Sequence, residues 1–187
     1  MAAIVFDVRL PHGAKESSAY TYVSIGAGTC LRRSALEAIG AMPHPLPADF
    51  FMQAEEYDLS FRLVNGGFLV KRFADLPLTH LKTPGARVGE RTTGLDVRNN
   101  LFLLARYVPE PWCQKLAADW LDRYFRMAKR RDLKAGAGQA HKKAFLWGAA
   151  AGLGQWTAKR NRNRHLLSPA AVEKIFKFNV IRAGPAL

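Results

Sequence analysis

Apolar and polar residues alternate with a period of two at the start of the chain, over residues 4–10. Alternation of this kind predicts a β-strand with one polar face. Residues 20–25 predict a second strand, which the glycine turn at 26–28 ends. Residues 68–73 and 76–81 predict two further short strands.

Helical spacing appears between these strands and then replaces them. Ser34 and Glu37 have the spacing of a capping box, which predicts a short helix ending at Gly40. Residues 54–65 predict a second helix, which Gly66 ends. The remaining helical stretches are predicted over residues 97–108, 116–127, 140–158 and 169–178, the last with Ser168 as its N-cap. Residues 83–93 predict a loop and residues 129–138 a basic linker.

The order of these elements predicts two segments. Strands and helices alternate over residues 1–111, and helices alone fill residues 112–187. The expected fold class is therefore α/β, with a C-terminal helical extension.

Charge follows the same division. The chain has 28 Lys and Arg against 15 Asp and Glu, a net charge of +13. Residues 1–111 hold 12 basic and 11 acidic residues, whereas residues 112–187 hold 16 and 4. Such a basic block favours an anionic partner, either nucleic acid or anionic lipid, or serves solubility alone.

Composition excludes several classes of protein. At 49% hydrophobic residues the chain can bury a core, and its cysteines, Cys30 and Cys113, are too few for a disulfide scaffold. Residues 1–10 lack the features of a signal peptide. The longest uncharged apolar-rich stretch, residues 144–158, is shorter than the roughly 20 residues that a transmembrane helix needs. We expect a soluble or peripheral protein.

The densest cluster of chemical groups is acidic and lies at the start of the helix predicted over residues 54–65. Glu55, Glu56 and Asp58 fall within four residues of each other. One interpretation is structural, because carboxylates favour a helix N-terminus and Asp58 can pair with Arg62 at i,i+4. The other is that a carboxylate held there acts as a general base on a hydroxyl group.

Other candidate groups are basic or glycine-rich. Gly26, Ala27 and Gly28 form a turn before Arg32 and Arg33, which suits either approach to a phosphate or sugar or a plain strand-to-helix turn. Leu31 occupies the position of the third glycine of a dinucleotide fingerprint, so that interpretation fails.

Three further residues have two interpretations each. His80 ends a predicted strand and is either a packed residue or a metal ligand. Arg98, at a predicted helix start, and Arg87 before it either bind a diphosphate or form a solvated face.

Together these motifs resemble family 2 glycosyltransferases of the GT-A fold. The resemblance runs through GAGTCLRRSALEAIG, FFMQAEEYDLSFRLVNGGF, LTHLK and VRNN, over about residues 20–109. It implies a partial GT-A mixed sheet and an inverting transfer of a sugar from a nucleotide-sugar donor to the hydroxyl group of a glycan or lipid-linked acceptor.

The resemblance also implies roles for residues. Glu56 takes the place of the catalytic base, where the family usually has Asp, and Asp58 belongs to the same catalytic motif. His80 matches a histidine near a divalent metal, Mg²⁺ or Mn²⁺. The residues implied in donor or acceptor binding are Gly26, Ala27, Gly28, Arg32, Arg33, Glu55, Arg62, Arg87 and Arg98.

The family's D-x-D metal motif occurs nowhere in the 187 residues. We therefore expect residues 1–111 to be the C-terminal, acceptor half of the GT-A domain, and a missing N-terminal half to be its partner. A non-catalytic partner protein or pseudoenzyme is the alternative.

The basic helical segment also has alternatives. Residues 144–158, flanked by basic residues, fit either a helix in an anionic membrane interface or a helix packed on the rest of the protein. A nucleic-acid-binding module is disfavoured, because the cluster at residues 160–165 matches no known pattern. The expected location of the protein is the cytoplasm, either free or bound peripherally to the inner face of the membrane.

Overall fold

A computed structural model describes residues 1–16, 20, 22–81, 89–110, 112–136, 138–162 and 165–182, without the side chains of residues 155, 159–162 and 177–182. The chain forms two compact units. The sheet unit comprises Met1–Asp49, Glu55–Thr83 and Leu167–Leu187, and the helical unit comprises Phe50–Ala54 and Pro84–Leu166. The predicted boundary after residue 111 falls within the helical unit, which takes residues from both sides of it.

The sheet unit contains a three-stranded mixed sheet in the order β2-β1-β3. Strand β1 (Ala3–Arg9) lies antiparallel to β2 (Thr29–Leu31) and parallel to β3 (Val70–Thr79). Helices α1 (Arg33–Ala38), α2 (Glu55–Asn65) and α6 (Pro169–Arg182) complete the unit. The predicted α/β class is confirmed.

Two strand predictions are wrong. Residues 22–25 form no strand in the described part of the chain, because the Ser24 amide donates to Ser60 Oγ (3.0 Å) rather than to a neighbouring strand. The two strands predicted over 68–73 and 76–81 are one strand, β3. Its pairing with β1 shifts register where Phe6 faces Phe73 and Asp7 faces Pro77, so the intervening residues 74–76 are absorbed as a bulge.

The predicted capping box of α1 is also wrong. The helix begins at Arg33, so Ser34 lies inside the first turn and the N-cap is Arg32, which makes no side-chain cap bond among the described residues. The predicted end is confirmed, because Gly40 adopts φ 64° and its amide donates to the Glu37 carbonyl (3.0 Å). This left-handed conformation suits glycine.

Aromatic packing forms the core of the sheet unit beside α2. Tyr20, Phe61 and Phe176 pack edge to face with ring centroids 5.2–5.7 Å apart. Ser168 caps α6 as predicted, since its Oγ accepts from the Ala171 amide (3.2 Å). The C-terminal helix therefore belongs to the same unit as the sheet.

The helical unit is built from three long helices, α3 (Gly89–Tyr107), α4 (Trp112–Lys134) and α5 (Ala140–Arg162). The described end of the predicted loop 83–93 is helical from Gly89. The predicted linker 129–138 is helical as far as Lys134, because Asp132 is buried and accepts from the amides of His141 (2.9 Å) and Lys142 (3.1 Å). This carboxylate caps the N-terminus of α5 from the neighbouring helix.

No helix in the described part of the chain is long and apolar enough to cross a membrane.

Candidate functional site

The first turn of α2 carries the acidic cluster, and its members differ in environment. Asp58 is buried, with 2% of its surface exposed, and its Oδ2 accepts from Arg62 Nε at 3.0 Å. Arg62 also donates to the Pro45 carbonyl (2.6 Å). This confirms the predicted i,i+4 ion pair, and the bond to Pro45 ties α2 to the proline-rich loop before it.

Glu55 and Glu56 are only partly buried. Glu55 Oε2 is enclosed but has no hydrogen-bond partner among the described residues. An enclosed carboxylate oxygen without a donor has lost its hydration and gained no hydrogen bond in return, so its burial is unfavourable. The Glu56 carbonyl accepts from Ser60 Oγ (2.7 Å), and Ser60 in turn bonds Ser24 (3.0 Å).

The helical unit contains a strained segment, Phe50–Ala54, that precedes α2 in the chain. Phe51, Gln53 and Ala54 have positive φ values of 62°, 74° and 66°. Non-glycine residues in this region are uncommon, and such strain persists only where surrounding groups hold it.

Asn99 holds this segment. Its Nδ2 donates to the carbonyl groups of Phe50 (2.9 Å), Met52 (2.7 Å) and Gln53 (2.7 Å). Arg98 supports it, because its Nε donates to Asn99 Oδ1 (2.8 Å) and its Nη2 to the Phe50 carbonyl (3.0 Å). A single amide therefore binds three carbonyl groups of one strained segment.

Arg98 is not at a helix start, contrary to the prediction, but lies in the middle of α3. Its Nε and Nη2 donate to Asn99 and Phe50. Arg91, on the first turns of α3, lies over the Phe51 ring at 5.3 Å, and this ring is 68% exposed. Arg87 lies outside the described residues.

The glycine turn serves the fold. Gly28 has φ 67°, and a Cβ there would lie 2.8 Å from Val8 Cγ2 and 3.2 Å from Phe6 Cβ. Only glycine therefore fits against β1. Gly26 is exposed and Ala27 partly buried, and neither is enclosed by the sheet as Gly28 is.

Both arginines after the turn are exposed. Arg33 forms an ion pair with Glu37 (2.8 Å) on the surface of α1, while Arg32 provides the N-cap position of that helix.

His80 follows β3 and pairs with a carboxylate. Its amide donates to the Arg9 carbonyl (2.7 Å), and its Nδ1 lies 2.5 Å from Glu16 Oε2. In the part of the chain that the structure describes, no three His, Cys, Asp or Glu side chains come together as metal ligands. The pair offers two potential metal ligands, an imidazole nitrogen and a carboxylate. Proteins hold Mg²⁺ with one or two carboxylates only where waters and substrate phosphates complete its coordination.

The sheet unit thus brings together Glu55, Glu56, Asp58 and Arg62 on α2, while Arg98 belongs to the helical unit.

Sequence reasoning missed two features, the hydrogen bonds by which Asn99 holds residues 50–54 and the bond between Ser24 and Ser60. The only available signal was the polar pair Asn99-Asn100 inside an otherwise apolar helical stretch, which predicts buried amides with specific partners.

The fold and these sites define an α/β protein with a small mixed sheet and an acidic helix start. Comparison with known proteins found no matching family model, no matching curated protein and no matching solved structure.

Proposed function

We propose that this chain is the acceptor half of an inverting glycosyltransferase of the family 2 type, with Glu56 as its general base. The observation that carries the proposal is the acidic start of α2. Asp58 is locked by Arg62, whereas Glu55 and Glu56 remain partly exposed. The mixed α/β sheet and the order of motifs along the chain support it.

In the proposed reaction Glu56 accepts the proton of the acceptor hydroxyl group. The acceptor oxygen then forms a bond to the anomeric carbon of the donor sugar. The bond from that carbon to the nucleoside diphosphate breaks, and its electron pair leaves with the diphosphate. Glu55, which is partly exposed beside Glu56, accepts a hydrogen bond from a second hydroxyl group of the acceptor and orients it.

Donor binding is assigned to a second polypeptide segment that carries D-x-D, since the 187 residues contain none. The divalent metal, Mg²⁺ or Mn²⁺, belongs to that half in the proposal. It supplies charge compensation to the leaving diphosphate. His80 and Glu16 do not complete a metal site by themselves, so no step of the acceptor chemistry depends on them.

A transfer assay tests the base assignment. The chain is combined with a GT-A N-terminal half carrying D-x-D, a panel of nucleotide-sugars, Mn²⁺, and soluble or lipid-linked glycan acceptors. We expect Glu56→Gln to lower kcat by about 10²–10⁴-fold, the usual contribution of a general base. Glu55→Gln should mainly raise KM for the acceptor.

Glu37→Gln is the matched control, because Glu37 is an exposed glutamate of α1 that pairs with Arg33 on the surface. It should leave kcat and KM unchanged. Equal rates for the wild-type chain and Glu56→Gln would contradict the base assignment. Absence of transfer with every donor would contradict the glycosyltransferase proposal.

A further inference from the structure

Positive charge is concentrated in the helical unit. That unit contains 17 Lys and Arg against 6 Asp and Glu, a net charge of +11, whereas the sheet unit has 11 against 9, a net charge of +2. From Arg123 to Val172 the sequence has a single acidic residue, Asp132. Because Asp132 is buried and its carboxylate caps α5, it leaves the surface of this stretch without a carboxylate among the described residues.

The cap also decides where the basic residues lie. By joining the end of α4 to the start of α5, Asp132 brings two short basic runs to one end of the helical hairpin. We call this end the basic tip; its residues are Lys129, Arg130, Lys134, Lys142 and Lys143. All are exposed except Lys142, which is partly exposed, and the tip also presents Leu133, a large apolar side chain with 71% exposure.

An apolar surface continues from the basic tip along α5. Leu146, Trp147 and Leu153 are 62%, 52% and 49% exposed, and Ala150 and Gly154 are exposed between and beside them. They are spaced by three, four and seven residues, so they lie on one side of the helix. We call this side the apolar face; Lys143 lies on it as well.

Backbone packing keeps this face turned outward. A Cβ at Gly148 would collide with the Gly94 carbonyl oxygen, and a Cβ at Gly152 would lie 2.8 Å from Leu101 Cδ1. The glycine side of α5 therefore faces α3, and Leu146 and Leu153 lie on the opposite, exposed side. A Cβ at Gly94 would lie 2.8 Å from the Trp147 ring, so this ring is held in place against α3.

We propose that the basic tip and the apolar face bind the surface of an anionic lipid bilayer, with α5 lying in the plane of the interface. Charge complementarity selects this partner: the tip meets anionic headgroups, and the leucine and tryptophan side chains enter the boundary between headgroups and acyl chains. Duplex nucleic acid provides phosphates but no apolar phase for the exposed leucines. A second copy of the unit is disfavoured as the partner, because it would bring a net charge of +11 against another net charge of +11. This inference does not depend on the proposed glycosyl transfer.

Vesicle cosedimentation of the full chain tests the proposal. Vesicles of phosphatidylcholine with about one-third phosphatidylglycerol should retain the protein, and vesicles of phosphatidylcholine alone should retain far less. Raising NaCl to about 0.5 M should weaken binding, because screening shortens the reach of the surface potential. Trp fluorescence should shift to shorter wavelength on binding, since Trp147 leaves water.

Two pairs of substitutions separate the contributions of charge and apolar contact. Lys142→Gln with Lys143→Gln should weaken binding to anionic vesicles by about 25-fold, at about fivefold for each charge. Leu146→Ser with Leu153→Ser should weaken binding at least tenfold and reduce the fluorescence shift. Both leucines are largely exposed, so the folded state should persist, and circular dichroism checks this.

The matched controls remove equivalent groups elsewhere. Lys71→Gln with Lys115→Gln removes two charges away from the tip, and Leu81→Ser removes a leucine with 77% exposure in the sheet unit. These controls should bind vesicles as the wild-type chain does, within about twofold. Equal weakening by both lysine pairs would overturn the proposal, because binding would then follow net charge alone.

Binding of nucleic acid, or of a second copy of the chain, to the basic tip and the apolar face would also overturn the membrane proposal. Salt-sensitive binding to a duplex oligonucleotide, together with no retention by anionic vesicles, would assign the surface to nucleic acid. A dimer in sedimentation velocity that is lost in Leu146→Ser with Leu153→Ser, again without vesicle binding, would assign it to a second copy.

Discussion

A single amide side chain holds the backbone that precedes the acidic helix. Asn99 is buried on α3 and binds three carbonyl groups of Phe50–Ala54, in which three non-glycine residues adopt positive φ. Each such conformation costs on the order of 1–3 kcal/mol, so the segment depends on its partner. The sequence places Asn99 at the start of the helix predicted over 97–108, and it does not reveal which carbonyl groups Asn99 binds, because these lie more than 40 residues earlier.

We expect Asn99→Ala to lower the free energy of unfolding by about 2–4 kcal/mol, since it leaves buried carbonyl groups without donors. Asn99→Asp should be at least as damaging, because it sets a carboxylate against the same carbonyl groups. Urea unfolding measures both. Asn65→Ala is the control, because Asn65 is exposed and its Oδ1 accepts from the Ser168 amide at the surface. An Asn99→Ala protein as stable as this control would contradict the clamp.

The pKa of Asp7 is lowered, and the contacts of its carboxylate explain why. Its carboxylate is buried on β1 and contacts Arg9 (3.0 Å) and Lys15 (3.3 Å). The hydrogen bond from Arg9, with that from Lys15, lowers the pKa of Asp7 below its ordinary value of 3.8, against the opposing effect of burial.

A lowered pKa stabilises the fold above the unfolded-state value, and this contribution is lost as pH falls through the folded-state value. We therefore expect Asp7→Asn to be less stable than the wild-type chain at pH 7. The difference should shrink from about pH 4 downward, as the wild-type carboxyl becomes protonated. Urea unfolding at a series of pH values measures this, with Asp75→Asn, on an exposed position of β3, as control. A difference that stays constant down to about pH 2 would contradict the assignment.

At the level of the element, α5 shows where a hydrophobic pattern predicts a helix without predicting its orientation. Spacing and length place a helix over 140–158, and the structure has one from Ala140 to Arg162. The usual rule turns large apolar residues inward. Here Gly148 and Gly152 face α3, and Leu146, Trp147 and Leu153 face outward. The backbones of α3 and α5 therefore approach each other closely at these glycines, where two helices usually pack through interdigitated large side chains.

Two glycine substitutions on α5 test this packing. Gly148→Ala places a methyl group against the Gly94 carbonyl and should destabilise the chain by about 1–3 kcal/mol, despite the better helix propensity of alanine. Gly154→Ala has no described atom within 4 Å of its new Cβ and should stabilise by about 0.5–1 kcal/mol. Calorimetry gives both values. The same sign for the two substitutions would contradict the proposed packing.

On the scale of the whole molecule, most of the positive charge belongs to one of the two structural units. The sheet unit is nearly neutral, and the helical unit carries +11. Like charges at this density repel one another in the folded state, and salt screens that repulsion. Net charge is a property of the sequence, whereas its concentration at the basic tip depends on the joining of α4 and α5.

We expect Tm to rise by about 2–4 °C between about 20 mM and about 200 mM NaCl, equivalent to about 1 kcal/mol of relieved repulsion. Lys129→Gln with Lys134→Gln should raise Tm at low salt and reduce this dependence. Lys71→Gln, in the sheet unit, should leave the dependence as it is. A Tm that falls with added salt would show that ion pairs, rather than repulsion, dominate.

The sequence by itself determined the α/β class, the presence of β1, α2 and the later helices, and the Gly40 and Ser168 signals, because these depend on residues close together in the chain. Tertiary structure decided the rest. It turned residues 22–25 into a non-strand segment through Ser24 and Ser60, extended α4 through the Asp132 cap, and placed Arg98 within a clamp. Ser24 and Ser60 are 36 residues apart, and Arg98 and the Phe50 carbonyl 48, while Asp132 binds amides of the next helix. Each of these partners lies outside the element whose local preference made the prediction, and local patterns contain no record of it.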